Sequence, residues 1–367
     1  FRPVSVIAPK GTIVNVTHPA PAGSHGEIRK RVIATMLGAL AHACPELSSA
    51  DIHRTSFHNL IGGIDSETGK EYVHYEWASG GNGAFLENDG PSSMAAIDWG
   101  DLCTVQSAEV METRYPLHVQ WTKQAMDSGG PGRTRGGLGT RRALQLTRGQ
   151  ASYSLLSDGA VVPPFGILGG QSAAPVGSYV HQNGQDLPFP TPGKIGGHPV
   201  TSGEIIVLQS AGGGGYGDPL SRDPAVVLED IEEGYVSIEQ ARISYGVIVI
   251  DDKVDEAATS AERTRQSNKR HQVCLTGPID TSAYEAIGRG QKRVARLHPD
   301  DASAIQVVED QMVELLTNKG APIRAWARID SDATAGQLAL DRHGYELLRV
   351  EPSTHIVIRA LFYPQLS

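Results

Sequence analysis

The sequence predicts an α+β protein: a β-rich core with long glycine-rich loops and a few packed helices, followed by a smaller α+β C-terminal domain. Three observations lead there. Glycine is in excess, 42 of 367 residues, well above the roughly 7% of an average protein, and it is clustered without a collagen-like period. Between about residues 52 and 210, short β-like runs alternate with Gly, Pro, Asn and Asp. Helical periodicity occupies the stretches on either side.

Taken in order, residues 1–18 suggest two short strands around a Pro9-Lys10-Gly11 turn. The first run, Val4-Ser5-Val6-Ile7-Ala8, follows directly on Phe1, which reads as a domain entered in its middle. Ser24 and Glu27 have capping-box spacing, and Ile28, Val32, Ile33, Met36, Leu37 and Leu40 then place one apolar stripe on a helix stopped by Pro45. Strands are expected at Tyr72–Trp77, Leu117–Trp121, Ala151–Leu156 and Ile205–Gln209. Asp223-Pro224 opens a helix carrying Val226, Val227 and Ile231, and a second helix runs from Ser237 to a stop at Gly246. Residues 251–272 are charged and nearly free of large apolar side chains, so they read as a solvated helix or linker between a 1–250 region and a 273–367 domain. In that last part, Ile305, Val308, Met312, Leu315 and Leu316 predict an amphipathic helix over Ala304–Asn318, closed by Gly320. Strands are expected at Ile323–Ile329, Tyr345–Val350 and His355–Phe362.

Composition narrows the function. The net charge is −9 and no Lys/Arg-rich run tracks a phosphate backbone, so nucleic acid is not an expected partner. No apolar run approaches the ~18–20 residues that cross a bilayer, and no secretory signal opens the chain. Cys44, Cys103 and Cys274 are odd in number and far apart. Neither a disulfide framework nor a cysteine zinc site follows, and a reducing cytoplasm fits best.

Four glycine segments stand out: 80–84, 127–139, 163–170 and 212–220. Without a Cβ, successive main-chain N–H groups can converge on an anion. Gly81, Gly83, Gly129, Gly130, Gly136, Gly137, Gly213 and Gly214 are therefore candidate anion-binding positions. The second segment also carries Asp127, Arg133 and Arg135, and guanidinium groups bind carboxylates or phosphates bidentately. The alternative is that these loops turn corners in a β-rich fold, with the arginines paired to Asp127 as scaffold. His58, five residues after His53, joins Asp127, Arg133 and Arg135 as a candidate catalytic residue; otherwise it is an ordinary polar residue on a β-like segment. His74 alternates with Tyr72 and Glu76 and could line a cleft or face water. No HExxH or compact ligand set marks a metal site. Thr191-Pro192-Gly193-Lys194 lacks the upstream spacing and following Ser/Thr of a P-loop, and no Gly-x-Ser-x-Gly elbow occurs.

Several of these segments, with others, follow one another in an informative order. They are Phe1-Arg2-Pro3-Val4 with Ile7-Ala8-Pro9-Lys10-Gly11, Gly62-Gly63-Ile64-Asp65, Glu112-Thr113-Arg114-Tyr115-Pro116-Leu117 and the 127–139 loop. Leu156-Ser157-Asp158, Pro163-Pro164-Phe165-Gly166, the 212–220 loop with Arg222-Asp223-Pro224, and Gly234-Tyr235-Val236-Ser237 before Tyr245-Gly246-Val247 follow. Over residues 1 to about 265 the chain resembles the C-terminal half of the hydantoinase B/oxoprolinase family. That resemblance implies a hydantoinase A-type partner that binds ATP with Mg and phosphorylates an amide or enolate oxygen. It also implies a second partner, the N-terminal half of the B-type polypeptide or a chain equivalent to it. A family metal site belongs to that half, so no ligand is carried over to these residues. The implied activity is that of one component of an ATP-dependent cyclic-amide hydrolase of hydantoin or 5-oxoproline type. A component of a ketone carboxylase and a non-catalytic scaffold are the alternatives. Residues 270–367 depart from the family pattern.

Overall fold

The structure is a computed structural model that describes residues 4–95, 105–279, 293–317 and 320–361. Phe1, Cys103, Asn318 and Phe362 lie outside the described residues. The fold is mixed α+β.

A first helix, α1 (His25–Ala43), leads to the hairpin β1 (His58–Ile64) and β2 (Glu71–Trp77). Helix α2 (Ala108–Arg114) precedes β3 (Leu117–Gln124), β4 (Thr140–Leu146), β5 (Gln150–Leu156), β6 (Gly177–Gln182), β7 (Gln185–Pro188), β8 (Lys194–Thr201) and β9 (Ile205–Gln209). These strands make two antiparallel sheets, in the orders β2-β1-β5-β8 and β3-β4-β9-β6-β7. Ile61 and Tyr153 from the first sheet share one core with Leu117, Leu144, Ile206 and Leu208 from the second. Alternation along each strand supplies that inner layer. On β2 it turns His74 and Glu76 inward and leaves Val73, Tyr75 and Trp77 outside.

Two expectations near the start are corrected. Residues 4–18 show an isolated bridge between Thr12 and Asn15 and no strand, so the apolar Val6 and Ile7 stay exposed. Helix α1 forms, but Ser24 has a left-handed backbone and its side chain caps nothing. Half of the apolar stripe also faces outward: Val32, Met36 and Leu40 are 41%, 58% and 48% exposed, while Ile28, Ile33 and Leu37 are partly buried. The buried face is Gly26, Glu27, Lys30, Ala34, Gly38 and Ala41. Small residues there allow close approach: a Cβ on Gly26 would sit 2.7 Å from Ser56 Oγ, and one on Gly38 3.1 Å from the Phe165 ring.

Outside either sheet, stretches of the glycine segments run side by side through the body as rods joined by backbone hydrogen bonds. In the central rod, Gly213 N–H donates to Gly137 O, Gly214 N–H to the Asp51 carbonyl and Gly215 N–H to the Gln171 carbonyl. The carbonyls of Gly213, Gly214 and Gly215 accept from Gly130, Ala84 and Ile167. A Cβ on Gly212 would overlap Ser128 O, on Gly213 Asn82 O, on Gly214 Phe165 O and on Gly215 Pro131 O. Gly212 and Gly215 thus face one neighbouring rod while the two residues between them face two others. That is a three-residue repeat, the geometry of a polyproline-II-type helix, which has no internal hydrogen bonds. The amides of Gly81, Gly130, Gly136, Gly137, Gly213 and Gly214 are thus taken up by backbone carbonyls, against the anion-binding reading for those six. Gly81 N–H donates to Ala211 O, Gly130 to Gly213 O, Gly136 to Gly130 O, Gly137 to Asn82 O. Gly83 and Gly129 press their backbones against Ala50 O and Gly136 O.

After the rods come α3 (Pro224–Glu232) and α4 (Ile238–Tyr245), with Asp223 and Ser237 as side-chain caps and Gly246 in the left-handed conformation at the stop. A two-stranded ribbon, β10 (Val249–Ile250) and β11 (Lys253–Val254), precedes α5 (Glu256–Asn268), a largely exposed helix in which Thr259 is buried.

The remaining strands are β12 (His271–Leu275), β13 (Val294–Leu297), β14 (Met312–Leu316), β15 (Ile323–Ile329), β16 (Gln337–Leu340) and β17 (His355–Ala360). They close into a six-stranded barrel, β12-β16-β13-β15-β14-β17, around Val273, Leu297, Val313, Leu315, Leu338 and Ile358. Two expectations fail here. Helix α6 (Pro299–Ala304) ends where the 304–318 helix should begin, and Met312–Leu316 is a strand between β15 and β17. Residues 345–348 belong to helix α7 (Arg342–Leu348), started by Asp341, whose carboxylate accepts from Gly344 N–H at 2.8 Å. In both places barrel pairing or a cap overrides apolar spacing.

The barrel is pinned to the body by charge. Glu314, 1% exposed on β14, accepts from Arg324 Nε at 3.0 Å, from Arg359 Nε at 2.9 Å and from Ser172 Oγ at 3.1 Å. Arg324 also donates to Pro163 O and Arg359 to Gly170 O, both carbonyls of the third glycine segment.

Candidate functional site

Helix α1 lies across residues 51–57, all seven of which are buried. Arg54 and Phe57 have φ of 55° and 52°, a left-handed backbone that non-glycine residues rarely adopt and that clusters at functional sites. The backbone between them is held from α1. Glu27 accepts from Ser56 N–H at 2.6 Å and from Thr55 Oγ1 at 2.9 Å. Lys30, 1% exposed, donates from Nζ to Ser56 Oγ at 2.9 Å. Burying a lysine is costly without polar contacts, so its presence here asks for a reason.

Beside this junction lies a cavity of about 570 Å³, within the range of small-molecule sites. Lys30, His53 and Ser56 line one side, and Tyr75, Glu76 and Trp77 another. Glu76 is fixed from behind by Arg142 at 3.0 Å and Asn59 at 3.4 Å, with His74 Nε2 also 3.4 Å away. Tyr115 adds a further aromatic wall and packs edge-on to His74 at 5.1 Å between centroids.

His58, at the start of β1, is not among the residues lining the cavity, but it contacts one that is, Tyr75. Its Nδ1 hydrogen-bonds the Tyr75 hydroxyl across the β1–β2 pair, its ring stacks on that of Tyr75, and its Nε2 lies 3.5 Å from Glu27 Oε1. Burial pushes the His58 imidazole below its ordinary pKa; Glu27 opposes this, while Lys30, His25 and Lys194 reinforce it.

The other expected catalytic residues lie elsewhere. Asp127, with φ of 64°, accepts from Ser237 N–H at 2.7 Å and so anchors the start of α4. Arg133 is exposed and donates to Leu86 O. Arg135 is buried: it pairs with Asp230 at 3.2 Å, lies 3.8 Å from Asp89, and stacks over Tyr235. Arg222 joins the same two carboxylates, at 2.7 Å from Asp89 and 2.8 Å from Asp230. None of Asp127, Arg133 and Arg135 is among the residues lining the cavity. Sequence reading missed Glu27, Lys30 and Tyr75. The available signal was a Glu and a Lys on the small-residue face of α1. Among the described residues, no three or more His, Cys, Asp or Glu side chains come together as a metal site.

Residues 1–219 match the Hydantoinase B/oxoprolinase family. The chain is 33% identical over 274 residues to the beta chain of the caprolactamase of Pseudomonas jessenii, covering 72% of this chain and 46% of the relative. It is 30% identical over 266 residues to the B component of a putative D-/L-hydantoinase from a Pseudomonas species, covering 72% and 44%. The crystal structure of the ATP-dependent caprolactamase from Pseudomonas jessenii superposes with a TM-score of 0.60 at 28% identity, over 71% of this chain and 46% of that one. The chain thus spans less than half the length of these relatives. With the family matched over more than half of its residues and the same architecture found in a solved relative, this chain belongs to the hydantoinase B/oxoprolinase family.

Proposed function

We propose that this chain is one component of an ATP-dependent cyclic-amide hydrolase of hydantoin or 5-oxoproline type. In this reading a hydantoinase A-type partner binds ATP with Mg and phosphorylates the amide oxygen, and the cavity beside α1 takes the activated ring. The relatives, named as the B and beta components of their enzymes, support the hetero-oligomer, and their names support the cyclic-amide class. The observation that carries the proposal is the buried Lys30 ammonium beside Ser56 at an aromatic-walled cavity. An unactivated amide is a poor electrophile; its phosphorylated form is reactive, anionic and needs shielding from bulk water. A desolvated cation binds such an anion far better than one in solvent. In this reading Asp127, Arg133, Arg135 and the glycine segments serve the fold away from the cavity and do not touch the substrate. A cytoplasmic setting and a division into residues 1–250, 251–272 and 273–367 belong to the same proposal.

The test is phosphate release by the natively purified complex with its partners retained. Turnover of 5-oxoproline or N-methylhydantoin with ring-opened product is expected, and Lys30→Met should lower it at least about tenfold while the complex stays assembled. ATP turnover that requires a ketone and bicarbonate, yielding a new carboxylate, would overturn the hydrolase reading.

A further inference from the structure

We infer that Tyr75, His58 and Glu27 form a proton relay in which the Tyr75 phenol exchanges protons with the molecule in the cavity. The inference rests on the cavity being the reaction site. It begins with a donor–acceptor argument. The indole nitrogen of Trp77 can only donate, so the Tyr75 oxygen accepts from it. The Tyr75 hydroxyl hydrogen is then directed to its other partner, His58 Nδ1. An imidazole that accepts at Nδ1 and is neutral carries its hydrogen on Nε2, which faces Glu27 Oε1 at 3.5 Å. Glu27 is an acceptor fixed by Ser56 N–H and Thr55 Oγ1. The Trp77-to-Tyr75-to-His58 hydrogens thus point one way. The last step, from His58 Nε2 to Glu27 Oε1, spans 3.5 Å, longer than a formed hydrogen bond, so Glu27 acts on the ring by its charge.

The geometry suits the task at each end. Tyr75 lines the cavity and is 44% exposed, and its oxygen, bonded to Trp77 and His58, keeps one lone pair with which to accept from a substrate or a water. Glu27 is buried, and the three groups come from α1, β1 and β2, so folding assembles them. A phenol–imidazole–carboxylate chain repeats the logic of a hydroxyl–imidazole–carboxylate triad with tyrosine as the leading hydroxyl.

The chemical step balances with two molecules of water and no other reactant. Water adds to the carbon of the O-phosphorylated cyclic amide, forming a C–O bond and sending the C=N electron pair to nitrogen. The proton that water releases goes to the Tyr75 oxygen as the Tyr75 proton moves to His58 Nδ1, giving an imidazolium beside Glu27. The relay then reverses and delivers one proton to the ring nitrogen. A second passage carries the remaining hydroxyl proton to that nitrogen while the C–N bond breaks, leaving an acyl phosphate. A second water then adds to its carbonyl carbon and the C–O bond to phosphate breaks, releasing inorganic phosphate and the ring-opened carboxylate, and the relay ends as it began. His58 must be neutral to accept, and burial, reinforced by Lys30, His25 and Lys194 against Glu27, keeps it so down to below its ordinary pKa.

Two measurements test this. In the isotopically labelled full chain above neutral pH, imidazole nitrogen shifts, with His58 assigned by its loss in His58→Gln, are expected to show a protonated Nε2 and a bare Nδ1. A hydrogen on Nδ1 overturns the relay whatever the complex does. In the natively purified complex turning over 5-oxoproline or N-methylhydantoin, Tyr75→Phe should lower kcat by about 10²–10⁴-fold. Glu27→Gln should move the acid limb of the pH profile while retaining part of kcat. Full turnover in Tyr75→Phe overturns the relay. A complex that turns over neither probe sinks the hydrolase reading and leaves the nitrogen shifts alone to decide the hydrogen-bond chain.

Discussion

Arg135, Arg222 and Arg133 are three arginines of one neighbourhood with three different environments. Arg222 and Arg135 share the buried Asp230 and the half-exposed Asp89, while Arg133 reaches a backbone carbonyl from solvent. Removing one member of a buried ionic cluster strands the others, at a cost of about 3–5 kcal/mol. Arg222→Ala should therefore lose about that much in urea denaturation, whereas Arg133→Ala should stay within about 0.5 kcal/mol of the parent. Equal effects of the two substitutions would contradict the network. The arginine-rich segment was visible in the sequence; its carboxylate partners, 46 residues upstream and 95 downstream of Arg135, were not. Glu27 misled in the same way. Its spacing from Ser24 fits a capping box, yet the fold turns its carboxylate to Thr55 and Ser56.

At the scale of elements, the β strands of the body followed from alternation and turn residues, because their inner faces are locally encoded. The glycine rods were legible as composition but not as architecture, since each rod is defined by neighbours distant in the chain. Gly214 illustrates the constraint: a Cβ there would overlap the Phe165 carbonyl, which belongs to backbone that cannot swing away. Gly214→Ala is expected to cost more than about 3 kcal/mol or to prevent folding. Gly196→Ala, on exposed β8 with nothing near its would-be Cβ, should be neutral or slightly stabilising. Comparable melting temperatures for the two variants would remove the rod packing as the reason for the glycines. The barrel was the least legible part. Ile305, Val308, Met312, Leu315 and Leu316 satisfy a helical period, but Met312–Leu316 gains two strand partners, β15 and β17, that only the closed barrel supplies.

For the whole molecule, Glu314 ties the barrel to the body. Burial alone would raise its carboxyl, but Arg359 and Arg324 more than reverse that and hold it below the ordinary range. A carboxyl depressed in the folded state stabilises fully above its unfolded pKa of about 4.3, and that contribution is lost as pH falls through the folded value. The melting temperature should therefore drop on acidification below about pH 4, and Glu314→Gln should flatten this part of the profile while lowering stability at neutral pH. An unchanged acid profile in Glu314→Gln would show that the docking lies on other contacts. The three-residue repeat of the rods reaches further still, into how the chain can change its length. One residue inserted between Gly212 and Gly215 would rotate everything beyond it by about 120° about the rod axis, presenting side chains where only bare backbone fits. Three inserted residues restore the facing but slide the rod by about 9 Å past its neighbours, so every amide finds a different carbonyl. Insertions and deletions in this protein must therefore fall in the connections between rods, and the rods themselves act as a fixed ruler for the core.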